Sequence, residues 1–169
     1  MFALRFPSEE IRTWAARYDV AMDRRVEEEI GPRYRKRGYL TREDFLELCR
    51  WKTRRSQSLC ARNTDEDVRE ASRIALQTKS ERIRIGVLLV LDGVSWPTAS
   101  VILHFGMPDR YPILDVRALW SLGMDPPPNY TFDLWLTYAQ HCRELAAAAH
   151  VDMRTLDRAL WQYSAENQH

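Results

Sequence analysis

The sequence is poor in glycine, with six in 169 residues, and it contains no stretch whose apolar and polar residues alternate long enough to read as a strand. A collagen-like or flexible linker protein is thereby excluded, and a sandwich or barrel has nothing to be built from. The strongest apolar run, residues 85–91, is far too short to span a bilayer, and the opening MFALRFPSEEIR lacks the apolar centre of an export signal. Neither membrane insertion nor export is expected. Cys49, Cys60 and Cys142 are odd in number, without C-x-x-C spacing or a nearby histidine cluster. A disulfide framework and a zinc site are therefore not expected, and a reducing cytoplasm fits best, nucleoid-associated in a bacterium. The net charge of +1 rules out a body that coats nucleic acid by bulk charge. Internal repeats and low-complexity tracts are also lacking.

What is present is a globular composition, 45% apolar and 29% charged, in a length suited to a single domain over residues 1–169. Its charge is unevenly spread. Residues 33–37 and 50–55 are dense basic runs interleaved with Tyr34 and Trp51, while Glu27–Glu29 and Asp65–Asp67 hold much of the compensating acid. One face is expected to be locally positive.

Ile11, Trp14, Ala15, Tyr18, Met22, Val26 and Ile30, at three- and four-residue steps, predict an amphipathic helix over residues 8–30, stopped by Gly31 and Pro32. Further helices are expected over 41–52, capped by Thr41, over 64–75 behind an Asn63/Thr64 cap, and over 80–90. Pro97 in a first turn predicts a helix running to Phe105, where Gly106, Met107 and Pro108 end it. Residues 113–122, closed by Gly123, a stiff Pro126–Pro128 link, and two final helices over 132–149 and from 152 complete an all-α chain of seven or eight helices.

Residues 91–100, LDGVSWPTAS, place a glycine turn between two of these helices. A helix, a tight glycine turn and a second helix can aim several backbone amides at one phosphate, gripping a strand without reading its bases. The glycine supplies dihedrals other residues avoid, and a side chain there is expected to block the phosphate. Together with YPILD at 111–115, the segment 91–123 resembles the helix-hairpin-helix and Gly/Pro-loop-Asp core of the base-excision DNA glycosylases, within a hairpin and loop region of 84–123. Gly93-Val94, Thr98-Ala99, the apolar 101–103, Gly106, Pro108 and Asp115 fall in the family's order, and YPILD is similar to the corresponding segment of mismatch adenine glycosylases. The plain alternative is two packed helices joined by a surface turn, with Asp115 a helix cap.

The resemblance implies a DNA partner and an enzyme that hydrolyses an N-glycosidic bond, with Asp115 stabilising cation-like charge on the sugar of an extruded nucleotide. It implies phosphate contacts from Gly93, Val94, Ser95, Trp96 and Thr98, and the basic Lys52, Arg54 and Arg55 would add to them. Bifunctional members carry an imine-forming lysine where this chain has Pro97, so at most a monofunctional, water-using enzyme is implied. Glu47 stands six residues before Thr53, as does the base-protonating glutamate of the adenine glycosylases, although a solvated helix glutamate explains it as well. Trp51 is expected in the core or as wall of the base pocket. Asp92 and Ser95 depart from the family's usual proline and second glycine. No iron–sulfur cysteine set is present; the one cofactor the family suggests is a monovalent cation at the hairpin backbone. A monomer is expected. Two other readings stay open: a helix-hairpin-helix module that binds DNA without chemistry, and a helical protein-interaction domain.

Overall fold

A computed structural model describes residues 2–168. The protein is all-α, with ten α-helices and no strand among the described residues. These fall into two compact units: Val20–Met107 form one, and residues up to 19 together with those from 108 onward form the other.

In the first of these, a π-helical turn at Val26–Ile30 runs straight into α2, Gly31–Arg37, followed by α3, Arg42–Lys52, the single turn α4, Gln57–Cys60, α5, Asp65–Gln77, α6, Glu81–Leu89, and α7, Trp96–Gly106. Helix α7 is the core: every residue from Thr98 to Gly106 is buried. It packs against α2, α3, α5 and α6. Gly106 lets α7 come close, because a Cβ there would lie 2.7 Å from both Leu76 Cδ2 and Tyr34 Cε1. Thr41, Thr64 and Ser80 cap α3, α5 and α6 through their side-chain oxygens, as their positions in the sequence predict. Arg84, buried inside, satisfies carbonyls at the end of α5 by donating to Ala75 and Thr78.

The second unit holds α1, Ile11–Ala16, α8, Val116–Ser121, α9, Phe132–Ala148, and α10, Met153–Asn167. Helix α10 packs on α1, α8 and α9. The amino-terminal segment is tied to the end of α8, with Ala3 N donating to Leu122 O and Arg5 N to Ser121 O, both at 2.9 Å. Phe6, Trp14 and Tyr163 seal that side with rings 4.6–6.2 Å apart.

The main departure from the sequence reading is the helix expected over 8–30. A 3-10 turn at Ser8–Glu10 and α1 end at Ala16, and helix resumes only after Asp23. Met22, counted in the apolar stripe, is 74% exposed, whereas Asp23 is buried and accepts from Trp51 Nε1 at 3.1 Å. That long-range bond fixes the interruption. Gly31 and Pro32 do not stop the helix either: they open α2 directly after the π-helical turn, whose wider bond from Gly31 N to Val26 O precedes the proline. The basic run 33–37 is consequently helical, and α2 ends at Gly38 with φ +79°.

Candidate nucleic-acid interface

The hairpin consists of α6, a turn over residues 90–95, and α7. Val94 N closes the turn on Leu91 O at 3.1 Å, with the side chains of Leu91 and Val94 buried. Asn63, from the loop ahead of α5, clamps it: Nδ2 donates to Asp92 O at 2.9 Å and Oδ1 accepts from Asp92 N at 2.8 Å. The same Nδ2 donates to Cys60 O at 2.9 Å, so α4, the loop and the turn share one amide group.

Gly93 has φ +77°, as the turn argument requires. The space its missing side chain leaves is not open, however. A Cβ there would lie 2.7 Å from Cys60 N, 2.8 Å from Cys60 Sγ and 3.0 Å from Leu59 Cβ. Protein packs where a phosphate is expected to approach, so the glycine serves the contact between the turn and α4.

Helix α7 starts without a side-chain cap, as α1, α2 and α4 also do. Ser95 is its N-cap, exposed and extended, yet gives no side-chain cap, whereas Thr41, Thr64, Ser80, Asp115, Thr131 and Asp152 all cap theirs. Pro97 carries no N–H, and the leading amides of α7, those of Trp96 and Thr98, receive no side-chain acceptor from Ser95. Val94 and Thr98 are 8% and 1% exposed as whole residues, so neither presents to a ligand the surface expected of it, while Trp96 is half-buried. Lys52, Arg54 and Arg55 lie at the junction of α3 and α4, the two arginines exposed and the lysine half-buried. Because α4 is the element that Gly93 rests on, these cations and the hairpin are linked through one short helix. The carbonyls of Leu91 and Asp92 already accept hydrogen bonds, which leaves fewer turn oxygens for a monovalent cation.

Glu47 lies between two guanidinium groups, 3.2 Å from Arg50 Nη1 and 3.8 Å from Arg25 Nε. Trp51 is half-buried, edge-on to Phe105 at 5.5 Å, with its indole N–H spent on Asp23. Both belong to the hairpin's unit. Each is committed to protein partners: Glu47 to ion pairs and Trp51 to the core.

Asp115 belongs to the other unit, as the N-cap of α8. Its Oδ1 accepts from Arg117 N at 2.8 Å. The loop leading to it, Tyr111 to Leu114, is buried throughout. Tyr111 stacks on Trp135 at 5.8 Å and 11°, and Tyr138 Oη donates to Ile113 O at 2.8 Å, so a layer of buried rings fixes the approach to the carboxylate. Burial, and after it the charge of Asp115, raise the Tyr130 phenol above its ordinary value, marking this half-buried tyrosine as a neighbour the motif gave no sign of. The Arg117 guanidinium rests over Trp161 at 5.2 Å. Trp161 is 37% exposed and meets Tyr18 edge-on.

A second arginine arrangement was visible in the sequence only as charge. Arg33 and Arg37, one helical turn apart on α2, donate to the two oxygens of buried Asp44 at 2.7 and 2.8 Å, beside a cleft of about 660 Å³. Burial raises the Asp44 carboxyl, but the two guanidiniums outweigh it and hold the group below its ordinary value. His104 is buried against Phe105, and no group of three or more His, Cys, Asp or Glu side chains among the described residues is placed to hold a metal ion. No known protein family, curated protein or solved structure gives a match to this chain.

Proposed function

We propose that the protein binds DNA through the α6–α7 hairpin and hydrolyses the N-glycosidic bond of a damaged or modified base, with Asp115 as the catalytic carboxylate. The observation that carries the reading is the start of α7, whose exposed N-cap Ser95 withholds its side chain from the leading amides. Such amides, with the helix dipole behind them, suit a phosphate. The exposed Arg54 and Arg55 add the sequence-independent attraction that a backbone grip needs.

Departure of the base leaves cation-like charge on the sugar, and a fixed carboxylate stabilises it more than mobile water does. The buried 111–114 segment and the cap bond to Arg117 give Asp115 that fixity. Pro97 offers no amine, so the product is a free base and an intact abasic strand, with water as nucleophile.

One observation favours a second reading, a DNA-binding module without chemistry: Asp115 already has structural employment as the cap of α8. Asp115→Asn separates the two, since asparagine keeps a capping oxygen and loses the charge. Oligonucleotides bearing single lesions are screened for base release under single-turnover conditions. Loss of release on the order of a hundredfold or more with DNA affinity retained supports catalysis. Unchanged release refutes Asp115 as the catalytic group, and DNA binding with no release from any lesion favours the module. Affinity is expected to fall steeply with salt, and Arg54→Gln with Arg55→Gln is expected to flatten that slope. The absence of any DNA binding sinks both readings.

A further inference from the structure

Residues far apart in the chain meet on one face of the second unit. Arg154, Arg158 and Trp161 follow one another at successive turns of α10, which puts them on one side of that helix. Tyr18, just past the end of α1, lies against them. The Arg154 and Arg158 guanidiniums are each 5.6 Å from its ring centroid, and its ring meets that of Trp161 edge-on, 5.4 Å away at 83°. Arg117, in the first turn of α8, completes the row over Trp161. Rings and guanidiniums therefore alternate along this face.

We propose that Trp161 and Arg117, with Tyr18 behind them, form a shelf for single-stranded DNA, on which an unpaired base stacks against the indole while the Arg117 guanidinium takes a neighbouring phosphate. The shelf deepens the DNA reading and rests on it for the identity of the strand, but it depends neither on catalysis by Asp115 nor on the hairpin.

The indole is both available and held. Trp161 is 37% exposed, whereas Trp135 in the same unit has no exposed surface, and Val116 beside Arg117 is 50% exposed. The edge of Tyr18 and the guanidinium of Arg117 already fix the Trp161 ring, so little rotamer freedom is left to be lost when a base arrives. Arg154 is paired with Asp157, both largely buried, which makes it a support for Tyr18.

Charge favours an anionic occupant. Arg117 forms no ion pair among the described residues, so no carboxylate of the protein neutralises its guanidinium. Its backbone N–H is the one that Asp115 Oδ1 accepts, so the cation left for a phosphate is two residues from that carboxylate. Tryptophan and arginine also anchor protein interfaces. The alternation of π faces with guanidiniums, however, matches the alternation of bases with phosphates in a strand. In a duplex the base faces are spent on one another, and only an unpaired or extruded base can meet the indole.

The full chain is titrated at low salt with a labelled oligothymidylate and with the same strand whose bases are deleted as tetrahydrofuran sites, so that charge is equal and only the bases differ. The unmodified chain should prefer the intact strand by about tenfold or more. Trp161→Ala should abolish that preference by weakening the intact strand alone, and Trp161→Phe should keep most of it. Arg117→Gln should weaken both strands alike and lower the salt slope by about one. Photocrosslinking of an iodouracil-containing strand to the unmodified chain should label the α10 peptide that holds Trp161. Equal affinity of the unmodified chain for the two strands, a preference that survives Trp161→Ala, or crosslinks only outside α10 overturns the shelf; duplex binding that persists alongside any of these leaves the hairpin reading standing. No binding of any DNA sinks both. Self-association of the parent that Trp161→Ala abolishes in sedimentation assigns the face to a second copy and overturns the strand. The strand comparison and the crosslinking need no variant, so a substitution that fails to fold leaves the test intact.

Discussion

The hairpin turn and the Asp115 loop come from adjacent parts of the sequence and are held by opposite means. The turn depends on residues distant in the chain: Asn63 clamps Asp92 from both sides and Cys60 fills the space beneath Gly93. Asp115 is capped locally, through the amide of Arg117 two residues on and a backbone bond from Leu119 N at 2.9 Å, behind a loop that buried rings hold. The difference teaches that similar motif residues can be supported by tertiary clamping in one place and local capping in another. Substitutions around the turn should accordingly cost more stability than those at the carboxylate.

The hardest blow to that contrast is Gly93→Ala. A left-handed residue with a Cβ driven into Cys60 backbone should cost about 3 kcal/mol, the sum of backbone strain and overpacking. Gly38→Ala is its control, because Gly38 shares the positive φ but has open space around it, and about 1 kcal/mol is expected there. Equal losses in denaturant unfolding would show that packing on α4 contributes nothing.

Next is Asn63→Ala, which removes three hydrogen bonds from a buried side chain and should cost about 2 kcal/mol. It should also raise hydrogen exchange at the turn amides. A loss as small as that of an ordinary surface residue would mean that the turn holds itself.

At the carboxylate, Asp115→Ala should cost about 1 kcal/mol as the cap of α8 is lost, and Asp115→Asn within about 0.5 kcal/mol of nothing. If both substitutions are equally harmful, the charge and not the cap bond supports the loop.

The smallest effect is expected with pH. Asp44 has a lowered folded-state value, so its contribution is fully present above the unfolded carboxylate value of 3.8 and is lost as pH falls through the lower folded value. Burial opposes the two arginines, which keeps this contribution modest. Asp44→Asn should make the acid limb of stability against pH shallower; an unchanged slope would show that the Arg33–Asp44–Arg37 fork contributes no net stabilisation.

Much of this was legible in the residues. The caps at Thr41, Thr64 and Asp152 are local chemistry, a side-chain oxygen meeting an amide two or three residues on, and sequence order alone places them. The same holds for Pro97 in the first turn of α7 and for Gly123 closing α8 at φ +82°, whereas α8 begins at Val116, three residues later than expected, with Asp115 as its cap. Gly93's dihedral could be foreseen too, because the constraint lies within one residue.

The partners of these groups could not be foreseen. Periodicity placed Met22 on an apolar stripe, but Trp51 bonding Asp23 broke that helix and left Met22 in solvent. Spacing said nothing of Arg33 and Arg37 closing on Asp44, or of α4 rising into the space under Gly93. By itself the sequence determined the helical class, most of the caps and the conformation of the turn, since each rests on forces acting within a few residues. Only the tertiary structure decided which surfaces those elements cover, because contacts between distant residues follow from how helices pack and not from the order in which they are written.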